Sequence, residues 1–169
     1  MNSLGQTFSL KEREISVYLG MTVKHVNDPL FGVSYVLAYN LENKDLLKLN
    51  KKLNSLYNCN FILSELGPDE KGFCSKVELD KGMLIVIVMK RFTGTPGSKG
   101  LLAHECFHAT EYVLNSRGIK YCRETSEVWA YNIGMLVEKF SESIRKPRKL
   151  LEKKEIKKII NLYTKNVRR

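Results

Sequence analysis

MLIVIVMKRFTGTPGSKGLLAHECFHA, residues 83–109, is the stretch whose reading decides the architecture. Its first seven residues are apolar on both faces and rich in β-branched side chains, which predicts an interior strand. Thr93-Gly94-Thr95-Pro96-Gly97-Ser98 then breaks the chain, and Ser98 is the candidate cap of a helix over residues 99–116. Gly118 suits the left-handed stop of that helix. A strand, a loop and a helix bearing two histidines four residues apart therefore form the nucleus of the fold.

Working outward, Asp80-Lys81-Gly82 is a turn signal, so residues 77–79 and 83–90 read as an antiparallel hairpin. Residues 15–19 and 33–39 have strand character, with Asn27-Asp28-Pro29 as the turn between those regions. Leu46, Leu49, Leu53 and Leu56 recur at three and four residues and predict a helix over 41–57. A further helix is expected from Glu124 to about residue 144, and Pro147 separates it from a basic segment with an apolar stripe, read as a helix docked on the body. The expected class is α+β: a small mixed or antiparallel sheet against the histidine-bearing helix and the helix that follows. One domain over 1–146 with a basic C-terminal segment over 147–169 accounts for all 169 residues.

The formal net charge is +10, but residues 145–169 hold eleven Lys or Arg against Glu152 and Glu155, leaving the first 144 residues close to neutral. Such a tail is usually a solvated helix face; its functional alternative is a nucleic-acid contact through residues 145–169. No apolar run approaches the ~18 residues of a membrane span, and no basic-then-apolar leader is visible, so the expected location is the cytoplasm. Cys59, Cys74, Cys106 and Cys122 are widely spaced and read as reduced thiols. A chain of this size buries enough surface to fold without a metal, so a metal would serve chemistry.

His104-Glu105-Cys106-Phe107-His108 is an HExxH pattern. Positions four apart share a helix face with Cβ atoms ~5–6 Å apart, so two imidazoles can reach one tetrahedral zinc ion at about 2.0–2.1 Å. Glu105, one step around the helix from His104, occupies the position of a general base for a zinc-activated water. Only one other histidine exists, His25, and it adjoins no second ligand pattern. A catalytic zinc needs a third protein ligand, and the next helix opens with Glu124 and Glu127. Glu127 is preferred because Ala130 and Gly134 give its helix small residues for close packing; Glu124 is the alternative, as ligand or as a group orienting a histidine. Tyr112, Tyr121 and Tyr131 are candidates to steady an oxyanion. The strand over 84–90 would hold an extended peptide if it were an edge, which its two-sided apolarity opposes.

GLLAHECFHA at 100–109, Gly118-Ile119, and ETSEVWAYNIG at 124–134 together resemble small zinc peptidases encoded by bacteriophages, over about residues 83–140. More distantly the chain is similar to the ImmA/IrrE family, with Ala130-Tyr131 where that family has Ala-Asn, and with no preceding helix-turn-helix. The resemblance implies a reduced zincin fold, one zinc ion held by His104, His108 and Glu127, a peptide or protein substrate, and the cytoplasm of the host. Two other readings stand beside it. One is a deformylase-like amide hydrolase with Cys74 or Cys122 as third ligand, and the other is an inactive zincin-like protein that binds nucleic acid or a partner through its basic tail.

Overall fold

The computed structural model describes residues 22–28 and 30–142, with no account of the Glu142 side chain. The strand expected over 15–19 and the basic segment 147–169 lie outside these residues. The class is α+β: four strands, β1 (Thr22–Asp28), β2 (Val33–Tyr39), β3 (Gly72–Leu79) and β4 (Gly82–Met89), and three helices, α1 (Asn43–Tyr57), α2 (Pro96–Ser116) and α3 (Ser126–Glu142). The sheet is mixed, in the order β1-β2-β4-β3, with β2 and β4 parallel and both outer pairs antiparallel.

β4 is interior, as its two-sided apolarity requires, and every residue from Met83 to Met89 is buried. The alternation of its side chains builds two cores. Ile85, Ile87 and Met89 join Tyr35, Leu37 and Tyr39 of β2 under Leu102, Cys106, Ala109 and Val113 of α2 and Leu136 and Phe140 of α3. Leu84, Val86 and Val88 join Val36 and Ala38 on the opposite face, under Leu46, Leu49 and Leu53 of α1. Leu56, expected on the same stripe, is instead 56% exposed, and Tyr57 is the residue at this end of α1 that packs against the cluster.

Three findings differ from the sequence reading. Asn27 and Asp28 are the last residues of β1, whose full ladder on β2 runs from Thr22 opposite Tyr39 to Asp28 opposite Val33. Helix α2 begins three residues earlier than expected, with Thr95 as cap and Pro96 in its first turn, where a proline sacrifices no helical hydrogen bond. Ser98 lies inside the helix, and its hydroxyl donates back to the Thr95 carbonyl at 3.0 Å. The small residues of α3 do not form its packing surface: Gly134 faces open space and Tyr131 is 78% exposed, while Trp129, Asn132, Leu136 and Phe140 turn inward.

The stop of α2 follows expectation. Gly118 has φ +74°, its N–H donates to Asn115 O at 3.0 Å, and the Ile119 N–H donates to Leu114 O at 2.9 Å. These are the paired bonds of a Schellman turn, which reverses the chain so that α3 returns along α2. Between the two helices the buried Thr110 hydroxyl donates to Asn132 Oδ1 at 2.9 Å. Removing that donor strands a buried acceptor, which costs about 1–3 kcal/mol. Thr110→Val is therefore expected to lower the unfolding free energy by about that amount with an unchanged denaturant slope; a loss near zero in urea denaturation contradicts this account of how α3 is fixed.

Candidate functional site

The site follows from how α2 lies on the sheet. Leu102, Glu105, Cys106, Ala109, Thr110 and Val113 form its buried stripe, so Glu105 points inward although it carries a carboxyl group. His104, one position earlier, is exposed, and His108, one turn on, is half-buried. The two imidazoles face one another, Nε2 to Nε2, at 3.1 Å. A tetrahedral ion with Zn–N of about 2.0–2.1 Å separates two of its nitrogens by about 3.3–3.4 Å. The observed spacing is close to that, and the facing atoms are the ones a metal would use. The pair therefore fits a shared cation.

The other nitrogen of His108 supports the same orientation. Nδ1 lies 3.5 Å from Glu111 Oε2, three residues further along the helix. A carboxylate on the far ring nitrogen is the arrangement that fixes the tautomer of a metal-binding histidine. Glu111 is a residue that sequence reasoning missed. Its signal was available, since positions 104, 108 and 111 recur at four and three residues along one helix face.

Glu105 is 4% exposed and reaches towards the first residue of β3. A Cβ added to Gly72 would sit 3.6 Å from Glu105 Oε1 and only 2.7 Å from the Val88 carbonyl oxygen, so a glycine is needed where β3 passes under this carboxylate. Burial raises the Glu105 pKa, and the neighbouring His104 and His108 pull it back down. The thiols beneath it stay protonated: burial and the Glu105 carboxylate push Cys106 up to about 12 and raise Cys74 as well.

The structure brings His104, His108, Glu105 and Glu111 together. It sets Glu127 in the exposed first turn of α3 and Glu124 in the turn just before it. The Glu124 carboxylate is held by its own backbone N–H and by the Cys122 side chain, which lower its pKa. Among the described residues no group of three or more His, Cys, Asp or Glu is gathered as a metal site. The start of α3 nevertheless meets the motif helix through aromatic contacts. Phe107 packs on Trp129 at 5.9 Å between ring centroids, and Tyr121 packs edge-on to Trp129 at 5.5 Å. Tyr121 is thus linked to the motif helix through that row, whereas Tyr112 and Tyr131 make no such ring contact among the described residues. His25 lies elsewhere, its Nε2 bonded to the Tyr57 hydroxyl of α1 at 2.5 Å.

The raised pKa of Glu105 has a direct consequence for stability. The native, metal-free chain binds this proton more tightly than the unfolded chain does, so stability falls as pH rises from the ordinary carboxylate value through the raised one. Glu105→Gln is therefore expected to melt higher than the parent at pH 7 in the presence of chelator, and to lose that advantage as pH falls below about 4. Thermal denaturation at both pH values checks this, and an equal or lower Tm for the variant at pH 7 contradicts it. Comparison with protein-family models, with curated proteins and with solved structures finds no match to this chain.

Proposed function

We propose that the protein is a zinc-dependent hydrolase of peptide bonds, with His104 and His108 holding one ion and Glu105 acting as general base. The observation that carries this reading is the 3.1 Å approach of the two Nε2 atoms, with Glu111 on the far side of one ring. Glu127, in the first turn of α3, is the residue we assign as third ligand, with Glu124 as the alternative. When bound, zinc polarises a carbonyl and lowers the pKa of a water towards about 7.

The chain's own groups supply the rest. Glu105 is buried between the histidines and β3, so its carboxylate is poorly hydrated and its pKa is shifted towards the working range of a base. It accepts the proton of the attacking water and delivers it to the departing amine, returning to the carboxylate form. β3 borders only β4 among the described strands, so its outer edge can pair with an extended peptide. The edge role that residues 84–90 could not fill falls to this neighbour, which begins at Gly72 beside Glu105. Exposed Phe107 and Tyr121 flank the site with apolar surface for a substrate side chain.

Zinc-loaded protein is expected to cleave an unstructured protein substrate or members of a quenched-fluorescent peptide library, to stop when chelated, and to resume with added zinc. Glu105→Gln is expected to keep zinc while losing about 10²–10⁴-fold in rate; a variant that holds zinc and retains full activity removes Glu105 from the mechanism. Glu111→Ala is expected to weaken zinc binding by about 10–100-fold through loss of the group that orients His108. Chelator competition measures this, and an unchanged affinity shows that Glu111 does not position the ring.

A further inference from the structure

The helices that follow the two parallel strands leave the sheet in opposite directions. After β2 the chain enters α1, whose leucines lie over Val36, Ala38, Val86 and Val88. After β4 it enters α2, whose inward stripe lies over Leu37, Tyr39, Ile87 and Met89. β2 and β4 are hydrogen-bonded neighbours, with Tyr39 opposite Met89 at their carboxyl ends. Adjacent parallel strands whose connections diverge to opposite faces leave a crevice between the two loops, and such switch points are where ligands bind in open sheets.

The crevice is present. A groove open to solvent, with about 640 Å³ of space, lies there, lined by Asn40, Leu41, Glu42, Lys90, Arg91 and Phe92 together with Thr93. The two loops are clasped across it: Asn40 takes a left-handed conformation at φ 58°, and its Oδ1 accepts from the Phe92 N–H at 2.9 Å. Leu41 and Phe92, 2% and 7% exposed, form its floor and belong to the two cores. Lys90 and Arg91 are exposed, and neither pairs with a carboxylate among the described residues. The one carboxylate in the lining, Glu42, is matched by Lys44 at 2.7 Å. The start of α1 is also occupied, since Asp45 accepts from the Glu42 N–H at 3.1 Å, so the attraction for an anion comes from the two cations.

We propose that this crevice is a second binding site, for a small molecule that carries an oxyanion, either phosphate or carboxylate. Lys90 and Arg91 hold the anion above the floor formed by Leu41 and Phe92. The site does not depend on what His104 and His108 hold.

The test is an amide-resolved NMR titration of the full chain with inorganic phosphate and, separately, with acetate, at ionic strength fixed with chloride. Saturable shifts at Asn40, Leu41, Arg91, Phe92 and Thr93 are expected, apart from any response of the basic tail. Loss of both cations in the Lys90→Ala, Arg91→Ala double variant is expected to weaken that binding more than about ten-fold. Saturation by phosphate alone assigns a phosphorylated ligand, and saturation by both anions extends the class to carboxylates. Shifts at these amides that do not saturate with either anion, or an unchanged affinity in the double variant, overturn the proposal.

Discussion

The angular step of helix α2 is the constraint on which the rest depends. Residues 102, 105, 106, 109 and 113 must face the sheet to close the core over β2 and β4. Once they do, the helix repeat leaves His104 and His108 on the flank, one turn apart and facing each other. It also obliges Glu105 to accompany the apolar stripe inward. A carboxylate in that stripe weakens the core, and its raised pKa is the signature of that cost. A general base needs a poorly hydrated carboxylate, so under the proposed function what weakens the fold would serve the chemistry.

The sheet's mixed topology sets everything else. Because β2 and β4 run parallel, the chain must cross over between them, and the crossover carries α1 to the face opposite α2. Long connections need anchors, and three asparagines of α1 provide them. Asn43, Asn50 and Asn54 bond through their amides to the backbone of Leu66, Leu63 and Phe61, holding the irregular segment after the helix against it. This anchoring delivers β3 to the outer side of β4 with Gly72 under Glu105. The same crossover opens the crevice at the carboxyl ends.

Much of this was legible in the residues themselves. The apolar run of β4, the Asp80-Lys81-Gly82 hairpin, the leucine spacing of α1 and the glycine stop of α2 are local signals, and each appears where local physics puts it. β1 was not legible. It offers only Val23 and Val26 as buried apolar residues, and Asn27-Asp28-Pro29 imitates a turn while its first two members still pair with β2. The start of α2 was misjudged because a serine looked like a cap, whereas the stronger signal was the proline two residues before it. At the site, the HExxH spacing led directly to the facing imidazoles. The role of Glu111 was in the same helical register and went unread. Where Glu124 and Glu127 lie relative to the pair depends on how α3 docks, through Trp129 and Asn132, and that is a tertiary property no spacing encodes. The same holds for the crevice, which exists only because two helices choose opposite faces.

Zinc stoichiometry of the purified chain beside His104→Ala tests the central claim most directly, because it asks whether the two facing imidazoles act as one ligand set. The account predicts one tightly held zinc per chain for the parent and none for the variant, with both folded by circular dichroism. No zinc in the parent, or equal zinc in both proteins, would contradict it.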